Sequence, residues 1–133
     1  MKPLNKSATK IFLRIIGGLD EDGEKTIKNC EGYMPLHVKY RGKMNGYEIY
    51  TLAHFGEQNG DAMADPEMDF MVAGNSEFSL VYPMTFRNDY LGINRCGIEF
   101  NENGQILYRK REQADEASFC NMWMRNIKQQ QEV

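Results

Sequence analysis

Residues 47–73 read YEIYTLAHFGEQNGDAMADPEMDFMVA, two runs with strand-like alternation on either side of Asn59-Gly60. A type I′ turn needs positive φ at both central positions, and Asn-Gly supplies it at little cost, so the pair predicts a β-hairpin with a two-residue loop. Gln58 then faces Asp61. The pairs that follow are His54 with Asp65, Leu52 with Glu67, Thr51 with Met68, Tyr50 with Asp69, Ile49 with Phe70 and Tyr47 with Val72. This register puts Tyr47, Ile49, Thr51, Met68, Phe70 and Val72 on a core face, and Tyr50, Leu52, His54, Asp65, Glu67 and Asp69 on the other. Pro66 is the exception: it has no N–H for the ladder and favours a bulge or an edge position.

Working outward, period-two patterning and glycine turns predict strands at 36–41, 47–56, 62–73, 77–86, 97–101 and 105–109, with a second hairpin turn at Asn103-Gly104. Residues 7–17 carry helical spacing, with Ser7 as the expected N-cap, Ile11, Phe12, Ile15 and Ile16 as the apolar stripe and Gly17-Gly18 as the stop. A second helix is predicted over 112–129, where Phe119, Cys120, Trp123, Met124 and Ile127 share one face. The polar stretch Leu19 to Gly32 reads as a surface loop. Together these elements predict an α+β fold: a meandering, mainly antiparallel sheet of five to six strands, with an N-terminal and a C-terminal helix packed on one face. One domain over 1–133 suits a chain of this length.

The composition, 41 % apolar and 26 % charged, is that of a globular domain. Three widely spaced cysteines, Cys30, Cys96 and Cys120, form no CxxC pair and suggest reduced thiols. The apolar run from Ile11 to Ile16 is short and interrupted by Arg14, and no other run approaches membrane-spanning length, so a cytoplasmic protein is expected. The net charge of −3 is unevenly spread. Residues 44–86 hold no Lys or Arg but carry Glu48, Glu57, Asp61, Asp65, Glu67, Asp69 and Glu77. Such an acidic surface argues against docking of a nucleic acid backbone and suits a cation, a basic partner or plain solvation.

The predicted register gathers one constellation, with Tyr50, His54, Glu57, Asp61, Asp65, Glu67 and Asp69 as candidate binding residues. Within it, His54, Asp65 and Glu67 are the catalytic candidates. A histidine beside carboxylates can take a divalent cation or act as a base oriented by an acid. The plainer reading, a solvated sheet face with an ordinary His54 ion pair, is preferred, because a solvated face uses the same residue types. No metal is assigned and no cofactor is implied: Asp65 to Asp69 lacks the glycine and distal glutamate of an EF-hand loop, and HExxH, GxSxG, the Walker loop and GxGxxG are absent.

Several stretches also carry a resemblance. Ile15-Ile16-Gly17-Gly18-Leu19, Gly32-Tyr33-Met34-Pro35-Leu36, Ala53 to Asp61 with its HxxEQNGD string, Asp65-Pro66-Glu67-Met68 (DPEM) and Asn88-Asp89-Tyr90-Leu91-Gly92 (NDYLG) occur in that order. Together, over about residues 11–93, they resemble a family of small uncharacterised bacterial proteins, a domain of unknown function found on plasmids, phages and conjugative elements. The resemblance implies no activity. It implies a setting: an accessory protein of a mobile genetic element. The leading expectation is therefore a non-enzymatic accessory or binding protein acting through a protein partner that reads the acidic 54–69 face. The rivals are a metal-dependent or acid/base enzyme using His54, Glu57, Asp61, Asp65 and Glu67, and an antirestriction protein that mimics DNA charge, which a net charge of −3 supports poorly.

Overall fold

Asn59 and Gly60 adopt φ of 52° and 84°, and the hairpin they close is the spine of the molecule. A computed structural model describes residues 1–74 and 78–133. In it β3 (Tyr47–Gln58) and β4 (Asp61–Ala73) flank that turn. Asn45-Gly46, with φ of 50° and 85°, closes β2 (Leu36–Met44) onto β3 by the same chemistry. The sheet grows from this pair as β1-β2-β3-β4-β6-β7, all antiparallel, with β1 Glu24–Ile27, β6 Thr85–Asn88 and β7 Ile93–Cys96. The upper half of β4 pairs instead with β5 (Leu80–Pro83), and β8 (Ile98–Phe100) with β9 (Ile106–Tyr108) forms a separate hairpin.

The α+β architecture agrees with expectation, and several details differ: β7 was not among the expected strands, and β8 and β9 pair with each other outside the main sheet. The Leu19 to Gly32 loop contains the short strand β1, held by four residue pairs to β2. The strand expected over 77–86 begins outside the described residues; its described part is two strands, β5 and β6, separated at Met84, whose N–H donates to Asp69 O at 2.8 Å. The N-cap of α1 (Lys6–Ile15) is Asn5 rather than Ser7, its side chain accepting from the Ala8 N–H.

Both helices lie on one face of the sheet. Ile11, Phe12 and Ile15 of α1 and Cys120, Trp123, Met124 and Ile127 of α2 (Lys110–Gln131) pack on Val38, Leu52, Met68, Phe70 and Phe86. Phe12 meets Phe70 at 4.8 Å, and Phe86 meets Phe119 edge-on at 5.0 Å. Each such large side chain removed from water is worth roughly 2 kcal/mol. The opposite face is covered in part by the β8–β9 hairpin, where Ile49, Met71, Met84 and Ile98 form a second, smaller core. Buried glutamines lash the chain ends to these layers. Gln113 receives the Lys2 N–H at 2.6 Å and donates to Lys2 O and Pro83 O, while Gln131 receives Asn29 N–H at 2.8 Å and donates to Met34 O.

Candidate functional site

Near the turn the hairpin register is the expected one, with Gln58 facing Asp61 and Phe55 facing Ala64. Pro66 then takes effect. Asp65 and Pro66 together oppose His54, and beyond this bulge every pair moves by one: Ala53 faces Glu67, Leu52 Met68, Thr51 Asp69 and Tyr50 Phe70. The expected pairs of Ile49 with Phe70, Thr51 with Met68, Tyr50 with Asp69 and Leu52 with Glu67 are corrected accordingly. The β4 residues keep their expected face, with Met68, Phe70 and Val72 in the main core, but those of β3 change sides. Tyr50 and Leu52 look toward the helices with Phe70 and Met68, so the β3 half of the row expected to be polar belongs to the main core.

The candidate residues are scattered over several places, Tyr50 among them at the far end of the sheet. His54 is buried beneath α2, 5 % exposed, with its ring 5.5 Å from that of Trp123. Its Nδ1 lies 3.0 Å from Pro35 O; since a carbonyl only accepts, Nδ1 carries the proton and Nε2 holds the lone pair in the neutral ring. Burial lowers the His54 pKa, and the Pro35 carbonyl and the nearby Asp65 carboxylate only partly oppose that. The Asp65 carboxylate accepts from Asn88 Nδ2 at 3.0 Å. Glu67 and Asp69 belong to other networks: Glu67 faces Arg87, which also pairs with Asp89 at 2.8 Å, and Asp69 accepts from the Thr51 hydroxyl at 2.6 Å, which in turn receives Arg41 Nε. Arg87 holds the Asp89 carboxyl below the usual range, helped by the Ala64 N–H. Glu57 and Asp61 stand exposed beside the turn. Among the described residues no group of three or more His, Cys, Asp or Glu is placed to hold a metal ion.

The bulge nevertheless gathers much of what the sequence singled out. Pro35 meets His54; Asp65 meets Asn88; Ala64 N–H bonds to Asp89; and Tyr90 lies over Gly56, its hydroxyl reaching Glu57 O at 3.4 Å. This end of the sheet is a knot of side-chain to backbone and side-chain to side-chain contacts. A cleft lies at the other end of the sheet.

That cleft, about 1150 Å³, lies between α1, the segment from Ile16 to Gly23 and the sheet. Leu13, Ile16, Leu19 and Val72 are its apolar walls, and Tyr40, Glu48 and Tyr50 its polar floor. Tyr40 donates a hydrogen bond to the Glu48 carboxylate, which with burial pushes the phenol up to about 12. Tyr40 and Tyr50 sit 5.2 Å apart, and Tyr50 abuts Phe12 edge-on at 6.2 Å, so the floor continues into the core as a rigid aromatic ladder. Lys10 and Arg14, one helical turn apart, form one rim; Asp20, Glu21 and Asp22 form the other.

A profile for a domain of unknown function, DUF6908, matches residues 7–133. The chain belongs to that family. No curated protein and no solved structure matches it significantly. The DUF6908 match runs through α2, well beyond residue 93, so Trp123 and Gln131 are as much part of the family's domain as the HxxEQNGD string. The sequence reading missed most of the cleft in this DUF6908 chain. Of its candidates only Tyr50 lines it, because Lys10, Leu13 and Arg14 read as an ordinary helix surface and Leu19 as loop. One signal was present: Leu13 breaks the solvated face of α1 with an apolar residue between two cations.

Proposed function

We propose that this DUF6908 domain is a binding module, acting as one unit over residues 1–133, that seats a segment of a protein partner and is not an enzyme. The observation that carries the reading is the cleft: half-buried Leu13, Ile16 and Leu19 line it with a floor of two tyrosines in tilted contact, around a space large enough for a few side chains. Rigid aromatic and aliphatic surface framed by charge is how a protein takes an apolar anchor residue without ordering new structure of its own. Glu57 and Asp61, exposed beside the Asn59-Gly60 turn, remain a second contact for the partner, in keeping with the acidic face expected from the sequence. As for setting, the resemblance supports an accessory role on a bacterial mobile genetic element, exercised in the cytoplasm. No described helix is long and apolar enough to cross a membrane.

A photo-crosslinking amino acid placed at Leu19, with a control at the exposed Met122 of α2, tests the partner claim in the bacterial host. The expected result is one recurrent protein adduct from position 19 that disappears in Leu13→Asp. Identical adducts from both positions, or adducts indifferent to Leu13→Asp, refute it. Gene neighbourhoods of DUF6908 members free of transfer, replication or phage genes would refute the mobile-element setting.

A further inference from the structure

The two rims of the cleft carry opposite charge, and this decides what its occupant must look like. Lys10 and Arg14 are exposed on α1 and line the cleft, and neither pairs with a carboxylate of the described residues. Across the opening, Glu21 and Asp22 are exposed and pair with no cation there. Asp20 is different, since its carboxylate is engaged by the Asp22 and Glu24 N–H groups and shapes the loop. On the floor, Glu48 is already satisfied by the Tyr40 hydroxyl and Lys43. Among the described residues, the lining groups left with charge to offer are therefore two cations on the helix side and two carboxylates on the loop side, with apolar wall between.

Resting on the reading of the cleft as a partner's seat, we propose that its occupant is a peptide segment with an apolar anchor residue flanked by an acidic residue, which meets Lys10 and Arg14, and a basic residue, which meets Glu21 and Asp22. The anchor enters between Leu13 and Leu19 onto Tyr40 and Tyr50. The charge pattern fixes the direction in which the segment crosses the sheet, because reversing it sets like charges against both rims. Exposed pairs of this kind add modestly to affinity and more to orientation and choice of partner.

The test is selection of a random twelve-residue peptide display library on the immobilised full chain, counter-selected against Leu13→Asp and, in case that variant folds poorly, against Leu19→Glu in the loop. Selected peptides are then measured by fluorescence anisotropy. The expected outcome is a family of cleft-dependent peptides in which an aromatic or aliphatic residue lies between an acid and a base. Their binding should fall at least about fivefold in Lys10→Glu/Arg14→Glu and fall similarly when salt is raised, as exposed pairs do. Recovery of affinity by a peptide with its acid changed to Lys would match the reversed rim. Cleft-dependent peptides without that charge pattern, indifferent to Lys10→Glu/Arg14→Glu, overturn this inference while leaving the cleft reading standing. A selection yielding only peptides insensitive to both Leu13→Asp and Leu19→Glu overturns both.

Discussion

Glu116 gives the strongest prediction about stability. Its side chain is 4 % exposed on α2, and neither carboxyl oxygen has a hydrogen-bond partner among the described residues. It is pressed against Gly97, where an added Cβ would lie 2.6 Å from Oε2. The Gly97 N–H, beside the carboxyl, donates to Met84 O at 2.7 Å. Burial pushes the Glu116 pKa from 4.5 up to about 8; that amide and Arg95 on β7 pull against the rise, and Glu112 and Asp115 on its own helix add to it. At neutral pH the folded protein therefore holds a proton there that the unfolded chain releases.

The consequence is a slope. With the folded pKa above the unfolded one, the contribution to stability is whole below about 4.5, is lost as pH rises toward about 8, and is flat beyond. The loss is roughly 1.4 kcal/mol per pH unit within that window, or on the order of 3 kcal/mol between the unfolded pKa and pH 7. Glu116→Gln keeps the shape and removes the proton. Urea unfolding followed through the single tryptophan, Trp123, which is 4 % exposed, measures both proteins from pH 5 to 9. The variant should match the wild type within about 1 kcal/mol near pH 5 and exceed it increasingly up to pH 8. Parallel pH profiles, or a wild type that gains on the variant with rising pH, refute the buried neutral carboxyl and would point to an ionised Glu116 paired with Arg95.

Burial sets the direction at His54 too, so an NMR titration should place its pKa below 6.5, and Asp65→Asn should lower it further by removing an opposing carboxylate. A midpoint above 6.5 would show the Asp65 charge outweighing desolvation. Gly97→Ala should cost roughly 1–3 kcal/mol, because the new methyl meets the Gln113 Cα at 2.9 Å as well as Glu116; Gly56→Ala should cost less, since its nearest obstacle is the end of the exposed Tyr90 side chain rather than backbone, and thermal melts rank the two. Gln131→Ala removes the acceptor for Asn29 and Cys30 N–H and the donor to Met34 O, and should destabilise by about 2–3 kcal/mol with faster amide exchange at Asn29 and Cys30. Unchanged exchange there would mean that the segment is held by other contacts.

Why the hairpin was legible and its site was not comes down to Pro66 and to two-sided burial. Turn chemistry is local: Asn59-Gly60 needs only its own two φ angles, and the pairing beside it followed. Register farther along is a sum over the strand, and a residue without an N–H interrupts that sum; one extra residue in β4 displaced each pair from Ala53 to Glu48. Alternation failed as a guide because Thr51, Leu52, Ala53 and His54 are all buried. With helices on one face and the β8–β9 hairpin and long polar side chains on the other, a central strand has no solvent side for the pattern to report. The charged residues beyond Pro66 keep their expected face but not their expected neighbours, since Glu67 and Asp69 are half-buried in their own networks with Arg87 and Thr51. The cleft stayed hidden for a different cause. Its walls come from α1, the loop after it and three strands, and only β2, β3 and β4 owe their adjacency to short turns. What brings Leu13 and Tyr50 into one cleft is the packing of Phe12 and Ile15 onto the sheet, which the helical stripe predicts in direction but not in position along the strands. A charge pair such as Lys10 and Arg14 acquires meaning only once the facing rim is known, and that rim, Glu21 and Asp22, lies in a loop whose path is fixed by the Asp20 side chain and by the Gly23 carbonyl accepting from Tyr40 N–H at 2.7 Å.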